Sequence, residues 1–175
     1  MYKPMISKPK ITLFLVDDDP TYLKMLEHTL QNSKYYDANI KGYASGGECL
    51  LNMADKPDII VLDYYLNGVD RNAINGIETL KKIKKINPGT KVIMLSGQDK
   101  IEVAINSLNF GAFDYIVKNE NAFIRTQNAI NNLVENVKLK NLVRQVRILA
   151  IVMVLVLLAV VVTAFVYNRI HPGFL

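Results

Sequence analysis

The sequence predicts an α/β fold, a doubly wound five-stranded parallel sheet, followed by one long apolar helix. Three observations carry this reading. Short apolar runs recur five times between residues 11 and 117, and segments with apolar residues at helical spacing separate them. The runs are apolar throughout rather than alternating, as in parallel strands covered on both faces. Residues 148–167 then form a stretch of 20 residues without one charge.

Taken in order, residues 11–16 (ITLFLV) read as a buried strand. Pro20 stands where a first helical turn tolerates it, and Asp19 can cap that helix. Tyr22, Leu23, Leu26 and Leu30 supply its apolar stripe. Residues 38–43 form a weaker strand, and Ser45 or Gly46 opens a short helix through Met53. Residues 58–62 (DIIVL) are the third strand. Ile77, Leu80, Ile83 and Ile86 mark a helix that Asn87, Pro88 and Gly89 stop. Residues 91–95 (KVIML) are the fourth strand. Ile101, Ala104, Ile105 and Leu108 mark a helix ended by Gly111, residues 113–117 a fifth strand, and helix resumes at Phe123.

Composition narrows the function classes. The net charge is +5, but residues 1–137 balance 16 basic against 16 acidic residues. The excess comes from Lys138, Lys140, Arg144, Arg147 and Arg169, which flank the apolar stretch. Basic charge gathered there argues against a nucleic-acid partner. The single cysteine, Cys49, reads as a small apolar helix residue. Residues 1–10 hold charges and two prolines but no apolar core of a signal peptide. No zinc-ligand set, P-loop or nucleophile elbow is present.

In a parallel sheet of this kind the site lies outside the carboxyl ends of the strands. There the sequence places Asp17, Asp18 and Asp19 after strand one, Asp63 after strand three, Ser96 and Gly97 after strand four and Lys118 after strand five. Adjacent carboxylates repel, so this cluster calls for a compensating cation. Magnesium or manganese fits, because such hard ions take carboxylate oxygens and keep several waters. An Asp carboxylate can accept a phosphoryl group, a Ser hydroxyl can bond a phosphate oxygen, and a Lys can neutralise another.

These residues, in "LFLVDDDP", "DIIVLDYYLN", "VIMLSG" and "GAFDYIVK", resemble the receiver domain of two-component response regulators over about residues 10–130. The resemblance implies a flavodoxin-like sheet of order 2-1-3-4-5. It implies that Asp17 and Asp18 bind Mg²⁺, with Asp63 and the main-chain carbonyl of Tyr65 as further ligands. It makes Asp63 the phosphoacceptor, Ser96 and Tyr115 the switch pair, and Lys118 the active-site lysine. A histidine kinase or phosphotransfer protein is the implied partner. The protein is then no enzyme beyond its own phosphoryl transfer and dephosphorylation. Three features depart from the family pattern. Asn67 and Gly68 stand where a Pro is usual. The 13-residue spacing from Asp63 to Gly76 is long, so "VDRNAIN" reads as a loop insertion. Asn119 replaces the Pro that usually follows the lysine, which predicts a trans bond.

The apolar stretch predicts a transmembrane helix, since 20 residues at about 1.5 Å each span about 30 Å. Four basic residues precede it and one follows, which sets the N-terminal side in the cytoplasm at an inner membrane. The expected organisation is an extension at 1–10, a receiver at 11–130, a basic juxtamembrane helix at 131–147, a single span at 148–167 and an external tail at 168–175. Membrane lipid and a membrane-associated target are the implied further partners. Leu139, Leu142, Val146 and Leu149 leave a homodimer open. Two functions follow: a phosphorylation-dependent switch at the membrane, or a scaffold that keeps the fold without using the phosphate. An Asp-based phosphatase fits less well, because Tyr65 stands where its second acid would be.

Overall fold

The computed structural model describes residues 8–66, 75–97 and 100–170. The elements follow in the order β1 (Lys10–Val16), α1 (Pro20–Gln31), β2 (Asp37–Tyr43), α2 (Gly46–Leu51), β3 (Ile59–Asp63), α3 (Gly76–Ile86), β4 (Lys91–Ser96), α4 (Ile101–Asn109), β5 (Asp114–Val117) and α5 (Ala122–Ile170). The five strands pair in parallel in the order β2-β1-β3-β4-β5, as expected. The lengthened loop at 69–74, the extension up to residue 7 and the tail from residue 171 lie outside the described residues.

The strands divide their side chains between two cores. Leu13, Leu15, Ile59, Val61, Ile93 and Leu95 face one side, where α1 and α5 cover them with Leu26, Leu30, Ile130 and Leu133. Phe14, Val16, Ile60, Leu62, Val92 and Met94 face the other, under Cys49 of α2 and Leu80 and Ile83 of α3. Alternation at period two explains why the central strands β1, β3 and β4 are largely apolar, with both faces buried, while the edge strand β2 (DANIKGY) has no buried residue. Each fully buried Leu or Ile contributes roughly 1.5–3 kcal/mol.

Local signals set the helix starts. Asp19 caps α1 by accepting from the backbone N–H of Thr21 and Tyr22 at 2.8 and 3.2 Å. Ser45 caps α2, and Asn75 caps α3. Gly111, at φ +93, takes the left-handed conformation that ends α4.

Several expectations need correction. The short helix stops at Leu51 and gives way to a 3₁₀ turn at Met53–Asp55. Asp63 and Ser96 are the last residues of their strands rather than the first beyond them. Phe113 precedes β5 and is exposed. Ile86 at the end of α3 is exposed as well, and α4 departs most: Ile101, Ile105 and Leu108 face outward, and only Ser107 of that helix is buried.

The chain divides into two compact units, the first ending at Val134 and the second starting at Glu135. In the second, residues 148–167 are all exposed, and the helix is long and apolar enough to cross a membrane by length and composition.

Gly76 shows how tightly the sheet edge is built. A Cβ there would lie 2.3 Å from the Asp63 carbonyl oxygen and 2.7 Å from Tyr64 Cα, both backbone atoms that cannot swing aside. Gly97 has nothing within 4 Å of the equivalent point. Gly76→Ala should therefore destabilise the chain by roughly 1–3 kcal/mol, while Gly97→Ala leaves stability nearly unchanged. Denaturant unfolding of the two variants checks the contrast.

Candidate functional site

Three adjacent carboxylates leave β1 and take three different tasks. Asp19 turns outward and caps α1. Asp17 is buried and accepts twice, from its neighbour Asp19 N–H at 3.1 Å and from Lys118 Nζ at 2.6 Å. Asp18 remains half-buried, and its carboxylate joins those of Asp17 and Asp63 so that one oxygen from each lies within 4.8 Å of the others.

Backbone bonds beyond the strand ends bring these groups together. Asp17 N–H donates to Tyr43 C=O at 3.1 Å, Tyr64 N–H to Leu95 C=O at 2.8 Å and Lys118 N–H to Ser96 C=O at 2.7 Å. These bonds tie β1 to β2, and β3, β4 and β5 to one another, and the pairing of Val16 with Leu62 joins the two sets. Asp63 closes the central strand, buried, with Lys118 Nζ 3.0 Å from its Oδ2. Its Oδ1 is buried and has no hydrogen-bond partner among the described residues. Ser96 is fully buried at the end of the neighbouring strand. Tyr115, on β5, packs against the second core. Tyr65 follows β3 by two residues, its ring edge-on to Tyr64 at 4.7 Å.

Lys118 reaches both acids although Asn119 follows it, and no cis peptide occurs among the described residues. The trans bond thus costs the lysine none of its reach. One feature escaped the sequence reading. Tyr22, assigned there only to the apolar stripe of α1, places its ring centroid 4.5 Å from Lys118 Nζ and stacks on Phe123 at 4.9 Å.

The electrostatics follow from burial. Desolvation pushes the Asp63 carboxyl up to about 6; the Asp17 charge adds to this, while Lys118 and the Tyr65 N–H oppose it. Asp17 is also raised, by burial that outweighs its bond to Lys118. For Lys118 burial acts downward, but the Asp17 hydrogen bond and the charges of Asp63 and Asp17 prevail and hold it above its ordinary value. One ammonium therefore offsets three carboxylates only in part. An all-oxygen donor set, an unpartnered buried Oδ1 and residual negative charge together fit a hard divalent cation.

A family model described as "Response regulator receiver domain" matches residues 13–129. The chain belongs to that family. Among curated relatives, the transcriptional regulatory protein ZraR of Salmonella typhimurium is 32% identical over 109 residues, 62% of this chain and 23% of ZraR. The chain spans under a quarter of the length of the curated relatives it matches. Of solved structures, NtrX from Brucella abortus is similar at 27% identity and a TM-score of 0.66, over 79% of this chain and 30% of NtrX. The BeF3-activated DrrB receiver domain is similar at 28% identity and a TM-score of 0.60, over 72% of this chain and 98% of DrrB. Receiver domains bind Mg²⁺ at an acidic cluster, and Asp17, Asp18 and Asp63 form such a cluster in this receiver.

The raised Asp63 has a consequence for stability. Its ordinary value is 3.8 and its folded value about 6, so between these pH values the folded chain holds a proton that the unfolded chain releases. Stability falls as pH rises through that window and stays reduced above it. In metal-free buffer Asp63→Asn should thus be more stable than wild type at pH 7.5, by on the order of 1–3 kcal/mol, with the gain vanishing near pH 4. Thermal unfolding in EDTA at the two pH values is the check.

Proposed function

We propose that this receiver is a membrane-anchored signalling switch, phosphorylated on Asp63 by a histidine kinase or phosphotransfer protein and acting through protein contacts at the membrane. The observation that supports it is the Asp63 carboxylate at the end of the central strand, with Oδ1 unpartnered, Lys118 at 3.0 Å and Asp17 and Asp18 beside it. An Asp63 oxygen attacks the phosphorus of a phosphohistidine. The new P–O bond forms as the P–N bond breaks, and the departing imidazole takes a proton from solvent. Lys118 neutralises one phosphoryl oxygen, and the Ser96 hydroxyl donates to another. Drawing Ser96 inward leaves room for Tyr115 to turn, and the two states present different surfaces to a partner. Asp17, Asp18, Asp63 and the Tyr65 carbonyl would hold Mg²⁺ or Mn²⁺, which supplies the positive charge that the carboxylates and the phosphoryl oxygens require.

The anchor is residues 148–167, with the receiver at 11–130 and the basic helix at 131–147 on the cytoplasmic side and the tail from residue 168 outside. Twenty uncharged, exposed residues have no stable place in water, and the four-to-one basic asymmetry orients the span. Confinement to the bilayer raises the effective concentration of membrane-bound kinases and targets. Lys138, Lys140, Arg144 and Arg147 also meet anionic headgroups.

Two measurements test the two halves. Wild-type protein incubated with labelled acetyl phosphate and Mg²⁺ should acquire a base-labile label that Asp63→Asn lacks; equal labelling of both would overturn the phosphoacceptor. In cells, the full chain should resist carbonate extraction, with a tag at residue 1 shielded in intact spheroplasts and a tag after Leu175 cut by added protease. Recovery in the soluble fraction would remove the anchor.

A further inference from the structure

We propose that Tyr22 is a positioning residue for Lys118: its aromatic ring, stacked on Phe123, holds the ammonium over the two carboxylates it serves. The inference rests on the reading of Asp63 and Lys118 given above and adds to it the group that steers the lysine.

Lysine is a long, flexible side chain, and its point charge has no geometry of its own. Here two of its three N–H bonds are accounted for by Asp17 Oδ2 at 2.6 Å and Asp63 Oδ2 at 3.0 Å. The Tyr22 ring lies beside the same ammonium, at 4.5 Å from Nζ to centroid, well inside the range of a cation–π contact. The ring itself is held from two directions. Asp19 receives the Tyr22 backbone N–H and fixes the first turn of α1. Phe123, at the start of α5, stacks on it with an interplanar angle of 28°. The carboxylate run that builds the acidic cluster therefore also aims the ring that tends its counter-charge.

The ring, not the hydroxyl, makes the contact with Lys118. Tyr22 Oη is buried without a hydrogen-bond partner among the described residues. What the position uses is the ring face. That face suits a lysine that must exchange partners: attraction to a π-cloud is not directional as a hydrogen bond is, so the ammonium can leave a carboxylate for a phosphoryl oxygen without losing it. Tyr22 also packs against the first core, and a role in packing alone has to be separated from a role in positioning.

The test uses the full-length chain in detergent micelles and three variants. Tyr22→Phe keeps the ring, Tyr22→Leu keeps apolar bulk without it, and Phe123→Leu removes the stacking partner. The first readout is the ¹H–¹³C signal of the Lys118 Cε group, assigned by its loss in Lys118→Arg. It should be shifted upfield by the ring current in wild type and Tyr22→Phe, and return to the ordinary lysine position in Tyr22→Leu. The second is the affinity for beryllofluoride with Mg²⁺, which Tyr22→Leu should weaken roughly two- to thirty-fold and Tyr22→Phe should retain. An unshifted Lys118 signal in wild type, or equal beryllofluoride affinity in the Leu and Phe variants, would overturn the proposal. If wild type shows the shift and Tyr22→Leu abolishes it, yet no variant takes up beryllofluoride, the positioning contact stands and the phosphoryl reading of the site falls. Should Tyr22→Leu fail to fold, Phe123→Leu must lose part of the upfield shift; full retention there counts against the proposal.

Discussion

The ammonium of Lys118 is the interaction on which the arrangement depends. It lies between Asp17 and Asp63, two buried carboxylates brought together by the ends of β1 and β3. Without it, these acids and Asp18 would meet as like charges in a place with little water to screen them. With it, the repulsion is offset, and what still holds Asp63 near 6 is first of all its burial, with the Asp17 charge adding to it. A site left short of positive charge is one that a divalent cation can complete. The same lysine is carried by its own backbone N–H, which donates to the Ser96 carbonyl at the end of β4. One residue of β5's exit therefore ties three other strand ends into a single chemical unit.

Much of this was legible in the sequence, for a physical reason. Strands buried on both faces must be apolar throughout, so the first polar residue ending each run marks a carboxyl edge. Asp17, Asp63, Ser96 and Lys118 announce themselves in this way, and Asp19 and Pro20 announce a helix start. The errors arose where a local pattern has no local cause. Ile101, Ile105 and Leu108 have helical spacing, yet spacing cannot say whether another element lies over that stripe, and within this chain they are exposed. Tyr22 failed in the opposite sense. Its position in an apolar stripe reads as core packing, and only the approach of Lys118, 96 residues further on, turns its ring into part of the site. No window of neighbouring residues carries that contact.

The acidic run that begins the chain's chemistry illustrates how few residues need to be idle. Asp17 is held by Lys118, Asp18 completes the cluster, and Asp19 binds the backbone of α1. Each has a different degree of exposure, rising along the run from buried to half-buried to exposed. The exit of a strand into a helix produces this gradient, because successive residues rotate away from the sheet edge into solvent.

The helix α5 has a consequence for anyone wishing to handle the receiver apart from its apolar stretch. The family likeness ends at residue 129, yet the first core is closed by Ile130, Leu133 and Val134. A protein trimmed at the family boundary would lose these three residues from the first core and open part of that core to solvent, inviting aggregation. The workable cut lies beyond Val134 and before the apolar run at residue 148. Within that interval the residues after Val134 are solvent-facing wherever their side chains are described.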